Sequence, residues 1–177
     1  VDGHVLEPRN TWKEYLEEKF KKRPIEFVAD DSGEVILIDG KPLEVVRNRT
    51  ALLGGIDHDP EILLRGNKTL TYEDGCPTGS YLPDERLKVM DKEGIDISLL
   101  YPTVGICWEG KVEDAELAAA YTRAYNRWLV DFCSYDKKRL VPIAHISLLD
   151  PLLAVKEMKR AANEGCKGIF ISPDLKP

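Results

Sequence analysis

In the second half of the chain, segments with apolar residues at helical spacing alternate with short continuous apolar runs. The longest pattern spans 113–138, where every third or fourth position is apolar, as on one face of a buried helix. The inward positions of this predicted helix are Leu117, Tyr121, Tyr125, Trp128 and Phe132. We interpret this aromatic stripe as core packing and not as a binding site for a cofactor.

Shorter predicted elements lie on either side of this helix. Helical spacing predicts two further helices, over 83–93 and 151–164. Continuous apolar runs predict strands that span 95–101, 140–148 and 168–172. Strands that alternate with helices indicate a parallel α/β sheet with right-handed crossovers.

The ends of the shorter helices carry local sequence signals. Asp150 is suited to cap a helix whose first position is Pro151. Gly94 and Gly165 follow the last apolar positions of their helices, where glycine is favoured as a C-terminal stop. We therefore expect these boundaries to be sharp.

The first 80 residues have a different pattern. A short strand opens the chain, and apolar spacing predicts a helix over 10–23 that Asn10 or Thr11 caps and Pro24 ends.

Beyond that helix, three short β-prone runs are separated by turn residues and predict an antiparallel meander. These runs are 25–28, 35–38 and 43–46. The irregular stretch 47–80 still contains apolar residues, so we expect 24–80 to be an ordered insertion that packs on the sheet.

Composition excludes several classes of protein. The 177 residues are 43% hydrophobic and 32% charged, as expected for a single globular domain over 1–177. The net charge of −6 argues against a nucleic-acid or anionic-membrane partner. No apolar stretch approaches the roughly 20 residues that span a membrane. Four widely spaced cysteines are typical of reduced thiols, so we expect a cytoplasmic protein.

The opening strand carries the first candidate chemistry. Asp2 and His4 are two positions apart, so both side chains project from the same face of a strand. A carboxylate and an imidazole are ligands for a divalent ion such as zinc. Two ligands make half of a metal site, and the remaining ligands have to come from elsewhere in the fold.

Parallel α/β sheets place their functional groups at the carboxyl ends of the strands. This rule adds Glu7, Thr103 and Asp174 as residues that could support the ligands or line a pocket. His145, which lies within the strand predicted over 140–148, is a further candidate. A structural role for His145 and a surface role for Glu7 are open alternatives. No glycine-rich phosphate loop follows the first strand, which argues against a dinucleotide-binding or P-loop enzyme.

Several stretches together resemble the amidohydrolase-related ("amidohydrolase 2") family of metal-dependent hydrolases and decarboxylases. They are Asp2-Gly3-His4-Val5-Leu6-Glu7-Pro8, the run PDERLKVMDKEGID over 83–96, Leu100-Tyr101-Pro102-Thr103, and the segment from Leu140-Val141-Pro142 through Asp150-Pro151 to Gly168-Ile169-Phe170. The resemblance implies a distorted (β/α)8 barrel, which in full needs about 250 residues. Four strands are predicted here, so the sequence corresponds to the front half of such a barrel, with 24–80 inserted after the first strand.

The resemblance also implies a metal centre. The first-strand motif of the family is His-x-His or Glu-x-His, so His4 carries over directly and Asp2 carries over as a carboxylate variant. The ion that the resemblance implies is zinc, with manganese as the alternative. The remaining metal ligands and the catalytic residues of the family lie on later strands, so none is assigned in this stretch.

The function implied is that of a metal-dependent hydrolase or non-oxidative decarboxylase. Its substrate would be a small carboxylate, amide or lactone, aromatic in some members, and the enzyme would be a homo-oligomer. Two alternatives remain open. A barrel enzyme could use Asp2 and His4 as an acid–base pair without metal, or a half-barrel could serve in binding or assembly.

Overall fold

The computed structural model describes residues 1–55 and 59–172. In chain order the strands are β1 (Asp2–His4), β2 (Glu26–Asp30), β3 (Gly33–Ile38), β4 (Lys41–Pro42), β5 (Ser98–Tyr101), β6 (Leu140–His145) and β7 (Gly168–Phe170). The α-helices are α1 (Thr11–Tyr15), α2 (Pro60–Arg65), α3 (Pro83–Glu93), α4 (Val104–Trp108), α5 (Ala115–Cys133) and α6 (Pro151–Glu164). Short 3₁₀ turns occupy Glu18–Phe20, Glu44–Val46, Thr50–Leu53, Glu73–Gly75, Thr78–Ser80, Glu109–Lys111 and Ser134–Asp136.

The central sheet has four parallel strands in the order β1-β5-β6-β7. Each pair is in parallel register, with His4 opposite Tyr101 and His145 opposite Phe170. Four neighbouring parallel strands in chain order, joined by helical crossovers, are what the sequence predicted for the first β/α units of a barrel.

Helix α5 is the main support of this sheet. It packs against β6, α1 and α6, and every member of its predicted aromatic stripe is buried. Tyr121 and Trp108 pack edge to face with ring centroids 5.2 Å apart. The prediction that this stripe forms core is confirmed.

The predicted helix boundaries hold where local capping signals are strong. The Asp150 side chain accepts hydrogen bonds from the backbone N–H groups of Leu152 and Leu153, which are otherwise unpaired at a helix start. Gly94 and Gly165 end α3 and α6 in the left-handed conformation, at φ 69° and 113°.

The helix predicted over 10–23 is wrong in extent. Helix α1 ends at Tyr15, and Leu16 and Glu17 are extended before a separate 3₁₀ turn begins at Glu18. The break has a tertiary cause. The carbonyl of Tyr15 accepts a hydrogen bond from Arg127 of α5, and the Glu17 carboxylate pairs with Arg123 and Arg127.

The insertion contains the predicted antiparallel meander in the order β2-β3-β4. Its third strand lies earlier than predicted, at Lys41–Pro42, and part of the run predicted as that strand is a 3₁₀ turn at Glu44–Val46. Leu43 is buried in one hydrophobic cluster with Phe27 and Ile36. The same cluster contains residues of α1, α4 and α5, so the meander packs against these helices.

Two further features concern membrane-spanning helices and the cysteines. Among the described residues, no helix is both long and apolar enough to cross a membrane. All four cysteines lie in the described ranges and are free thiols.

Candidate active site

A cavity of about 820 Å³ lies beside β1. Asp2 and His4 line it from the strand, Leu52, Leu53 and Leu64 from the insertion, and Val89 and Met90 from α3. Its wall is mostly apolar, so a small organic molecule could bury its apolar surface there while a few polar groups fix its orientation. The cavity is the candidate substrate site.

Strand β1 presents its two polar side chains to this cavity. Asp2 and His4 are both exposed, whereas Val5 and Leu6, which follow them, are buried. Since alternate strand residues share a face, the carboxylate and the imidazole project to the same side. That these two residues form half of a metal site stays a prediction.

The imidazole of His4 is held by the chain segment that follows β5. Its Nδ1 lies 2.8 Å from the carbonyl oxygen of Pro102, and the Thr103 hydroxyl lies 3.4 Å from the same nitrogen. Because a carbonyl oxygen only accepts hydrogen bonds, Nδ1 carries the proton in the neutral imidazole, and the free lone pair is then on Nε2. Metal-binding histidines in proteins are commonly held in this way, by a hydrogen bond at the nitrogen that does not bind the metal.

A divalent cation fits the residues present but needs further ligands. In the described part of the chain, neither the Asp2 carboxylate nor His4 Nε2 has a hydrogen-bond partner. Both are therefore available as metal ligands. Within the same ranges, no three His, Cys, Asp or Glu side chains converge as a metal cluster. Asp2 and His4 would supply two of the four ligands that a zinc site of this kind needs.

Glu7 is fully buried and bonds to the same segment that holds His4. Its carboxylate accepts hydrogen bonds from the backbone N–H groups of Thr103, Val104 and Gly105, at 3.3, 2.9 and 3.1 Å. Burial raises the pKa of Glu7 to about 7, because the loss of water outweighs the three hydrogen bonds that favour the charged form. The surface role considered from the sequence is therefore wrong for Glu7. Its carboxylate caps the start of α4 from 97 residues earlier in the chain.

Arg86 supports β1 from the α3 side. Its Nη1 donates to the carbonyl oxygen of His4 at 3.1 Å, and its Nη2 lies 3.4 Å from the hydroxyl of Ser98. A Cβ at Gly3 would lie 2.2 Å from Arg86 Nη2, so a larger residue there would displace the guanidinium that passes under the strand. Burial lowers the pKa of Arg86 below its ordinary value. The sequence analysis did not identify Arg86. The glycine between the two candidate ligands was the available signal.

His145 lies in the core and not on the wall of the cavity. Its Nε2 is 2.9 Å from a carboxylate oxygen of Glu109, and its backbone N–H and C=O both bond to the side chain of Asn126. The rings of Trp108 and Phe170 pack against it at 5.4 and 5.2 Å. This environment corresponds to the structural alternative considered for His145.

The remaining predicted residues divide into two groups. Thr103 lines the cavity and contacts both His4 and Glu7. Asp174, proposed from the sequence as a pocket residue, lies outside the described residues.

The insertion is fixed to the segment that follows β1 by an ionic cluster around Arg9, in which Glu34 is buried. Arg9 Nη2 lies 2.5 Å from the carboxylate of Glu34, whose side chain is 3% exposed, and Arg9 also pairs with Glu73. Glu34 accepts two more hydrogen bonds, from the Thr50 hydroxyl at 2.5 Å and the Tyr72 backbone N–H at 2.7 Å. These contacts hold the insertion segments that cover the cavity.

Solved structures similar to this chain include an amidohydrolase and two decarboxylases. An amidohydrolase from Mycobacterium avium subsp. paratuberculosis K-10 matches with a TM-score of 0.70 at 24% identity, over 97% of this chain and 48% of that one. The 2,6-dihydroxybenzoate decarboxylase from Rhizobium matches with a TM-score of 0.52 at 17% identity, over 96% of this chain and 36% of that one. A dihydroxybenzoic acid decarboxylase from Polaromonas sp. JS666, solved with bound manganese and the inhibitor 2-nitroresorcinol, matches with a TM-score of 0.51 at 16% identity over the same shares.

These likenesses show the fold. The chain has the architecture of part of a (β/α)8 barrel, as the sequence predicted, and it spans about half or less of the length of these proteins. No family model matches the chain, and no curated protein sequence matches it.

Proposed function

We propose that this chain is the metal-binding front half of a metal-dependent hydrolase or non-oxidative decarboxylase. The observation that carries the proposal is the hydrogen bond from His4 Nδ1 to Pro102, which leaves His4 Nε2 free beside the Asp2 carboxylate on the wall of an apolar cavity. A histidine held in one tautomer, with its other nitrogen free next to a carboxylate, is suited to bind a divalent ion.

In this proposal Asp2 and His4 hold the ion, with zinc as the expected metal and manganese as the alternative. The bound manganese of the Polaromonas decarboxylase supports a divalent ion in a fold of this kind. When bound, such an ion lowers the pKa of a coordinated water or polarises a substrate carbonyl or carboxylate.

The residues of the chain supply orientation and exclusion of water. Pro102 fixes the imidazole of His4, and Arg86 fixes the strand beneath it through the His4 carbonyl. Leu52 and Leu53 of the insertion close the cavity with apolar surface, which strengthens electrostatic interactions inside it.

The proposed substrate is a small molecule with a carboxylate, amide or lactone group. A mostly apolar wall with a few polar groups, among them Asp2, His4 and Arg86, suits a compact, partly aromatic acid. The names of the similar structures, an amidohydrolase and two dihydroxybenzoate decarboxylases, support both branches of this substrate class.

The test is metal content with turnover. The chain is loaded with Zn²⁺ or Mn²⁺, dialysed, and analysed for metal, next to Asp2→Asn and His4→Gln variants and an Asp96→Asn control that removes an exposed acid. The proposal predicts bound metal in the wild type and the control and its loss in both site variants. It also predicts that any release of CO₂ from dihydroxybenzoates, or any hydrolysis of amides or lactones, follows the metal.

Two results would overturn the proposal. Turnover that persists without metal and is lost in the Asp2 and His4 variants would mean that these residues act as an acid–base pair. Absence of both metal and turnover in the wild type would favour a binding or assembly role.

A further inference from the structure

Glu7 and His4 meet on one short segment of the chain, residues 102–105. His4 Nδ1 donates to the carbonyl oxygen of Pro102, and Glu7 accepts the N–H groups of the next three residues. Consecutive peptide groups of this segment are therefore bonded on one side to the candidate ligand and on the other side to a buried carboxylate. The two contacts together fix the segment, because either one alone would allow it to rotate about that contact.

We propose that Glu7 is a positioning residue that holds segment 102–105 so that the Pro102 carbonyl keeps His4 in its Nδ1–H tautomer. The inference rests on the proposed function in one respect only, namely that the free Nε2 of His4 is a metal ligand. The geometric part, from Glu7 through the segment to His4, stands without a metal.

The burial of Glu7 explains why such a device is effective. The carboxylate has no exposure, so water cannot replace it as the acceptor for the N–H groups of Thr103, Val104 and Gly105. Removing the acceptor would leave up to three buried donors unpaired, and an unpaired buried donor is destabilising. The segment would shift to find other partners, and the Pro102 carbonyl would move with it.

Gly105 shows how little room the segment has to move. A Cβ at this position would lie 2.7 Å from Cβ of Pro102 and 3.1 Å from Nδ1 of His145. The segment packs between β6 and Glu7. A small displacement at position 105 therefore pushes on Pro102, whose carbonyl oxygen bonds to His4. Gly105→Ala is thus a second perturbation of the same segment that leaves Glu7 intact.

The tautomer of His4 can be measured in the metal-free chain. Long-range ¹H–¹⁵N NMR at a pH where the imidazole is neutral distinguishes a protonated Nδ1 from a bare one, and the signals are assigned by comparison with His4→Gln. For the wild type the proposal predicts a single Nδ1–H form. For Glu7→Gln and Gly105→Ala it predicts ¹⁵N shifts that move toward the average of the two tautomers.

Glu109→Gln is the matched control. Glu109 is also a buried carboxylate close to α4, but it bonds to His145 and not to segment 102–105. It should lower stability to a similar degree without changing the His4 signals. Thermal melts of all variants show whether they are folded. A purely structural role for Glu7 would lower the melting temperature in both carboxylate variants and leave His4 unchanged.

Zn²⁺ affinity gives the second readout. Loss of a group that orients a metal ligand typically lowers affinity about 10- to 100-fold, and we expect that range for Glu7→Gln and no change for Glu109→Gln. A folded Glu7→Gln chain whose His4 stays entirely in the Nδ1–H form would overturn the inference. A wild-type chain that shows the Nδ1–H form but binds no metal would instead overturn the proposed function and leave the positioning role intact.

Discussion

The Nδ1–H group of His4 donates a 2.8 Å hydrogen bond to the carbonyl oxygen of Pro102, which lies 98 residues later in the chain. The contact joins the end of β1 to the end of β5, two neighbouring parallel strands. The carboxyl ends of such strands carry the functional groups of α/β barrels. This hydrogen bond fixes the orientation of the His4 imidazole at the end of β1.

The buried ion pair of Arg9 and Glu34 gives the first prediction, which concerns the insertion. Glu34→Ala leaves the Thr50 hydroxyl and the Tyr72 N–H without their acceptor and removes a buried partner of Arg9. We expect the free energy of unfolding to fall by about 3–5 kcal/mol in urea denaturation.

Glu73→Ala is the matched control, because Glu73 pairs with the same arginine but its side chain is 54% exposed. It should cost less than about 1 kcal/mol. Equal costs for the two variants would show that Glu34 does not anchor the insertion.

The raised pKa of Glu7 gives a prediction on pH dependence. The carboxyl group has a pKa of about 7 in the folded chain, against 4.5 as its ordinary value. Between these values the folded state holds a proton that the unfolded chain has released. The stability that this proton contributes is fully present below about pH 4.5 and is lost as the pH rises through 7.

The difference in unfolding free energy between the wild type and Glu7→Gln isolates this effect. Between pH 4.5 and pH 7.5 the unfolding free energy of the wild type should fall by on the order of 3 kcal/mol relative to that of Glu7→Gln. Denaturation at several pH values measures it, and a difference that does not change with pH would contradict the raised pKa.

The pair formed by His145 and Glu109 predicts the effect of removing one buried partner. His145→Phe keeps an aromatic ring in place but leaves a buried carboxylate alone, and it should lower the unfolding free energy by about 3 kcal/mol. The double variant His145→Phe/Glu109→Leu should recover much of this loss, because an apolar pair is often as stable as a buried ionic one.

Neither His145 variant should change metal binding, since His145 does not line the cavity. Metal titration of the folded single variant checks this. Loss of metal from His145→Phe would mean that the imidazole takes part in the site after all.

Local signals predicted part of the fold well. Helices α3 and α6 have their predicted bounds because their caps, such as Asp150 and Gly165, lie within a few residues of the helix ends. The break of the first helix at Leu16 was not predictable in this way, since its causes, Arg123 and Arg127, lie more than 100 residues later.

The candidate site shows the same division. The alternation of Asp2 and His4 on a strand placed both residues on one face, and the cavity lies on that side. Helix α4 was not predicted, because the group that satisfies its first N–H groups is Glu7, far away in sequence. Gly3 indicated a close approach to the strand, but sequence spacing did not show that the approaching residue is Arg86. Contacts of this kind depend on which strands become neighbours.

A titration of the ¹⁵N-labelled chain with Zn²⁺, followed at the imidazole nitrogens, tests the central claim most directly. We predict that the Nε2 resonance of His4 shifts on metal binding while Nδ1 keeps its proton, and that the His145 resonances do not change. The shift should be absent in Asp2→Asn at the same Zn²⁺ concentration. A His4 Nε2 signal that stays in place at saturating Zn²⁺ would contradict the assignment of β1 as a metal-binding strand.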